Sequence, residues 1–132
     1  MREKIGLYHG KRKDNGEWAK GYYACIAGNN MILTGKIDIT NGVIGAEAFE
    51  VFPESVGEFA GITDKNKIEI FEGDIVRDDE NKIYVIIFVN GVFRIAERRH
   101  NINFYSWSVH NYSDYFTVIG NIYDNPELLK EE

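Results

Sequence analysis

Three Asn-Gly pairs, at Asn15-Gly16, Asn41-Gly42 and Asn90-Gly91, constrain what this chain can fold into more than any other feature. Both residues tolerate the positive φ that a type I′ hairpin turn demands, so each pair predicts a reversal of the chain. The flanking residues agree. Lys36 to Thr40 carries apolar residues at alternate positions and Val43-Ile44 leaves the second pair, which predicts a hairpin with one buried face. Ile83 to Val89 is apolar on both faces of a strand and Val92 to Ile95 returns from the third pair, so this hairpin belongs at the centre of a core. Lys82 and Arg94 are expected to cap its open, wet end.

Further strands are expected at Tyr22 to Ala27, Met31 to Leu33, Glu58 to Ile62, Ile68 to Phe71, Asp74 to Arg77, Asn103 to Val109 and Tyr115 to Ile119. Eight Tyr and eight Phe against two Pro leave little room for helix. The polar run Glu97 to Asn101 reads as an exposed loop. One helix start is signalled, by Asn125 as N-cap, Pro126 in the first turn and Glu127 after it; Leu128 and Leu129 should then pack on the sheet. Glu72-Gly-Asp-Ile-Val76, ahead of a polar turn and the long hairpin, suggests an SH3-like barrel. The expected fold is therefore mainly β: antiparallel hairpins, an SH3-like small barrel in the C-terminal half and one short C-terminal helix. A single domain is expected, with an N-terminal β subregion over 1–57 and a barrel-like subregion over 58–132.

A chain of 132 residues, 44% of them hydrophobic, can hold a core without disulfides or metals. The lone Cys25 cannot form an internal bridge, and no basic start joins a long apolar run. The longest strongly apolar stretch, Val85 to Val89, is far below the roughly 20 residues of a membrane helix. A cytoplasmic protein of a bacterial host, without membrane contact, is the expectation. The net charge of −6 argues against broad attraction to nucleic-acid backbones. Its distribution is uneven: residues 1–20 carry six Lys/Arg against three Asp/Glu, whereas 41–80 carry three against eleven. The plain explanation is solubility and guarded sheet edges; the sharper one is an acidic face for a basic partner.

Three blocks carry a resemblance. They are Gly10 to Trp18 running on to Gly21-Tyr-Tyr23; Val56-Gly57 to Gly61 with Asp64-Lys-Asn and Ile70-Phe-Glu-Gly-Asp-Ile-Val76; and Val118 to Leu129. In this order they closely resemble the YopX family of phage and prophage proteins. The resemblance implies a small β-rich protein encoded by a bacterial virus or a prophage region, with no assigned activity and no catalytic residue to carry over. Lys67 stands where the family pattern Asp-Lys-Asn-Gly has glycine, so the reversal there should use another turn type or place Asn66 at positive φ. His9 stands where Arg is more usual. The block glycines read as backbone punctuation, and Trp18, Tyr22, Phe71, Ile75, Val118, Ile119 and Ile122 as core. Left over are the polar positions Lys11, Arg12, Asp14, Glu17, Asp64, Glu72, Asp74 and Asn121.

Cys25 with His9, His100 or His110 has the residue types of a nucleophile and base, but Cys25 sits in an apolar strand where a buried, inert thiol is expected. The histidines lack a zinc spacing. Glu69, Glu72, Asp74 and the run Asp78 to Glu80 have the types for a divalent cation or an acid/base pair, yet alternation separates them, and Asp74 is expected to cap local amides. No phosphate loop is present. No catalytic, cofactor or metal residue is therefore expected, and the protein reads as a non-enzyme. Lys11, Arg12 and Lys13 with Trp18, and Arg98 and Arg99 with Trp107, combine cations with stacking aromatics. The first expectation is a protein-binding or assembly module, including homo-oligomers in which the basic end of one copy meets the acidic middle of another. The alternative is a single-stranded nucleic-acid binder in phage DNA metabolism, using the same residues.

Overall fold

A computed structural model describes residues 7–40, 43–99, 102–108 and 113–129. Among the described residues it is mainly β, in two antiparallel sheets, with helix only as short 3-10 turns. The chain divides into two compact units, Met1–Phe59 and Ala60–Glu132.

In the first unit the strands are β1 (Leu7–Lys11), β2 (Trp18–Ile26), β3 (Asn29–Thr40) and β4 (Val43–Glu50), each antiparallel to the next. β3 and β4 pair up to Thr40 opposite Val43, either side of Asn41-Gly42, as the alternation predicts; the Asn-Gly pair itself lies outside the described residues. β2 turns into β3 at Ala27-Gly28, both at positive φ (51° and 80°), a reversal that no Asn-Gly pair marks. Ala19, Ile32 and Val51 form the core, with Tyr8, Phe49 and Val56 packed on it. Gly21 lies so close to the neighbouring strand that a Cβ would fall 2.0 Å from the Leu33 carbonyl oxygen.

The chain passes into the second unit within β5 (Gly57–Thr63), whose first residues pair with β1. There follow β6 (Glu69–Phe71), β7 (Asp74–Arg77), β8 (Ile83–Val89), β9 (Val92–Arg99), β10 (Ile102–Ser108) and β11 (Thr117–Asn121). Five of them form a sheet in the order β10-β9-β8-β7-β11. The Asn90-Gly91 turn takes positive φ at both residues (53° and 78°), as the type I′ reading requires. Ala60, Ile70, Val76, Tyr84, Ile86, Ile95 and Phe116 build the core. Fully burying a side chain such as Ile86 contributes about 1.5–3 kcal/mol, which is why the apolar β8–β9 hairpin sits centrally.

Several expectations are corrected. Among the described residues no pairing of β10 with β11 closes the sheet into a barrel. Glu97 to Arg99 is not loop but the end of β9, held by Ile102 and Asn103 of β10. Arg94 lies opposite Ile87 near the Asn90 turn, while Lys82 precedes β8 at the other end, so they do not share one wet end. The C-terminal segment forms only a 3-10 turn, Pro126–Leu129, with no buried residue, and Leu128 is exposed. The reason is local: Asn125 Oδ1 accepts the Asn121 amide behind it instead of capping the amides ahead. Tyr22 and Ile122, expected in the core, are exposed. Among the described residues no helix is long and apolar enough to cross a membrane.

Candidate functional site

The basic segment at the end of β1 is folded back on carboxylates. A four-residue loop closes with the Arg12 amide donating to Glu17 O (2.9 Å) and the Gly16 amide to Arg12 O (3.1 Å). Within Asn15-Gly16 only the glycine takes positive φ, so this reversal is not the type I′ turn its sequence suggests. The loop brings the Arg12 guanidinium onto Asp14, Nε donating to Oδ1 at 2.9 Å and a terminal nitrogen to Oδ2 at 2.7 Å. The same guanidinium lies 3.8 Å above the Phe49 ring and 4.0 Å from Glu17. Hydrogen bonding by Arg12 holds the Asp14 carboxyl below its ordinary pKa, and the same bond raises Arg12. Lys13 Nζ meets Glu50 at 3.0 Å.

Lys11 is held by its backbone, whose amide donates to Ser55 Oγ (2.8 Å) and whose carbonyl accepts from the Phe52 amide (3.0 Å). Trp18 is half-buried against the ring of His9, 4.5 Å away, and His9 is itself buried. In the other unit, Arg98 and Arg99 stand on β9 opposite Asn103 and Ile102, and Trp107 on β10 opposite Ile95, beside a register shift; their side chains lie outside the described residues. The structure thus pairs Arg12 and Lys13 with the protein's own acids, which offsets the local positive charge that would attract a phosphate.

Cys25 is exposed, contrary to the expected burial, because the far end of β2 is uncovered on both faces: Tyr22, Tyr23 and Ile26 are exposed with it. His100 and His110 lie outside the described residues. Glu72, Asp74 and Asp78 do not converge. Asp74 is buried and, as expected of it, takes a local amide, that of Phe71 at 2.8 Å. Among the described residues no group of three His, Cys, Asp or Glu is placed to hold a metal ion.

The carboxylates that organise the second unit are Asp64 and Asp78. Between β5 and β6, Asp64 Oδ1 accepts the amides of Asn66 (2.8 Å) and Ile68 (2.9 Å), while its own amide donates to Ile68 O. Between β7 and β8, Asp78 Oδ1 accepts the amides of Glu80 and Lys82 (both 2.9 Å), and its amide donates to Lys82 O. In each turn the fourth residue is left-handed: Lys67 at φ 65° and Asn81 at φ 66°. The reversal at 64–68 therefore uses Lys67 itself, not Asn66.

Around the second turn lies an open groove of about 350 Å³. Asp78, Asp79, Glu80 and Lys82 form its polar side, and Tyr84, Tyr115 and Phe116 its aromatic side. Register explains the meeting: Thr117 of β11 pairs with Arg77 of β7, so the residues before Thr117 arrive beside Asp78. Tyr84 and Phe116 are buried with rings 5.6 Å apart and edge-on, whereas Tyr115, from the 3-10 turn Ser113–Tyr115, is exposed. The Tyr84 hydroxyl donates to Asp78 Oδ2 at 3.1 Å. Its pKa is pushed up to about 12, first by burial, then by the bond to Asp78 and the negative charges of Asp78, Glu97 and Glu80. Asp79 holds the ammonium of Lys65 at 3.0 Å. Sequence reasoning found the acids of this groove and missed its aromatic side, because Phe116 reaches Asp78 only through the β7–β11 pairing.

The family model described as YopX protein matches residues 7–130. No curated protein matches the chain. Among solved structures, the crystal structure of protein EF1440 from Enterococcus faecalis is similar, with a TM-score of 0.60 and 23% identity; the match covers 97% of this chain and 100% of that one.

Proposed function

The chain belongs to the YopX protein family, and from that premise we propose that it is a phage- or prophage-encoded protein that binds another protein or a second copy of itself, without catalysing a reaction. One observation carries this reading. On one face of β2, Tyr22 and Ile26 are 52% and 49% exposed, apolar surface that a partner or a second copy would cover. The polar residues of the family blocks favour it too. Asp64, Asp74 and Asn121 hold backbone amides, a structural use that leaves them little chemistry of their own.

A finer reading of the fold agrees. The meander β7 to β10, a 3-10 turn, and β11 returning to β7 follow the strand order of SH3-like barrels, scaffolds that often present binding surfaces. The single-strand alternative rests on Lys11, Arg12, Lys13, Trp18, Arg98, Arg99 and Trp107, and the carboxylates already on Arg12 and Lys13 weigh against it.

Co-purification from an infected or prophage-induced host, with light scattering at low and high salt, tests the proposal. A partner or a dimer that disappears with Tyr22→Ser and Ile26→Ser is the expected result. A strict monomer at every salt concentration that recovers no partner overturns it, and tight binding of a labelled oligonucleotide would install the alternative.

A further inference from the structure

We infer that the groove between Tyr115 and the Asp78 turn receives an arginine side chain from a basic segment of a protein partner. This rests on the protein-binding reading and names the chemistry of the partner. About 350 Å³ is at the small end of ligand clefts, room for one long side chain and the backbone around it.

The lining selects the kind of side chain. One side is aromatic, with Tyr115 56% exposed at the mouth and Phe116 and Tyr84 buried behind it. The other side carries three carboxylates and one ammonium, so its balance is negative. Burial is the first reason the Tyr84 phenol resists ionisation and its bond to Asp78 the second; nearby charge adds to both. The charges of Asp78, Glu97 and Glu80 all oppose formation of an anion at its oxygen. A phosphate or carboxylate ligand would meet the same opposition, whereas a cation is favoured.

Two cations already stand here, Lys82 in the lining and Lys65, whose Nζ sits 3.0 Å from Asp79 Oδ1, so of the three carboxylates Glu80 is the one left to favour a further cation. A flat guanidinium suits this lining better than a third ammonium. It stacks on an aromatic face such as Tyr115 while its edge donates two hydrogen bonds to a carboxylate, and Glu80 on the exposed side of the turn offers one. The aliphatic stem would lie along the apolar floor.

The test is a titration of the isotopically labelled full chain, followed by NMR, with an acetylated and amidated Gly-Arg-Gly-Arg-Gly peptide. A second titration uses its citrulline counterpart, which keeps the shape and lacks the charge. The expected result is a set of shifts at Asp79, Glu80 and Tyr115 with the arginine peptide alone. Tyr115→Ala and Glu80→Gln should each weaken binding by about fivefold or more. Both positions are exposed, and the Glu80→Gln variant alters one surface carboxylate only, so it reports even where Tyr115→Ala disturbs the 3-10 turn. Equal response to citrulline, shifts elsewhere, no shifts, or full binding by Glu80→Gln overturns the inference. A host protein captured equally by wild type and by both variants would leave the protein-binding reading standing and remove this one.

Discussion

The turns at Asp64 and Asp78 share one hydrogen-bond plan, yet they face different surroundings. In each, one carboxylate oxygen gathers two amides and the fourth residue is left-handed. The second oxygen makes the difference. In Asp64 it accepts the Val118 amide at 2.9 Å, and the side chain is 4% exposed. In Asp78 it accepts the Tyr84 hydroxyl at 3.1 Å, on a turn that borders the groove. The same short acid therefore serves as an internal clasp in one place and as the wall of a binding surface in the other. What decides is which strand arrives opposite it.

The sharpest way to break this comparison is to remove each carboxylate. Asp64→Ala leaves three amides without their acceptor in a buried place and should cost about 3 kcal/mol or more. Asp78→Ala frees two amides and a hydroxyl nearer to water and should cost about 1–2 kcal/mol. Urea denaturation compares them; equal losses would show that burial of the second oxygen contributes nothing.

A smaller effect separates the two left-handed residues. A lysine pays steric strain at φ 65° that glycine avoids, so Lys67→Gly should stabilise the protein by about 0.5–1 kcal/mol after the extra freedom of the unfolded chain is subtracted. Asn81→Gly should change stability by about zero, since asparagine already tolerates that conformation. Thermal melts of the two variants check the contrast.

The last effect is silent at neutral pH. The Tyr84 phenol keeps its proton up to about pH 12 in the folded state, against 10.0 for an unperturbed tyrosine. Between those values the folded state binds more protons than the unfolded one, so stability falls as pH rises. Tyr84→Phe should remove that part of the slope, measured as urea midpoints at about pH 9 and about pH 11.

The twin turns also show what was legible. The Asn90-Gly91 hairpin could be read directly, because both residues adopt the backbone their chemistry favours. The Ala27-Gly28 reversal could not, since alanine has no local reason to be left-handed and the flanking strands impose the turn. Lys67 is the same case: contacts around Asp64 override the residue's own preference. The polar run Glu97 to Asn101 read as a loop because its character is that of one; for Glu97 to Arg99, pairing with β10 decides otherwise. The basic segment was visible as charge, but its acid partner Glu50 lies 37 residues on, and only the fold brings it to Lys13. The aromatic side of the groove was hidden for the same reason.

The bond from Val118 to Asp64 spans 54 residues. A ribosome delivering this chain makes Asp64 long before the amide that completes it. During that interval the turn is assembled while one oxygen of its carboxylate awaits β11. The second unit can thus be finished only after Val118 has been made, and a nascent chain stalled before it should be a ready substrate for proteases.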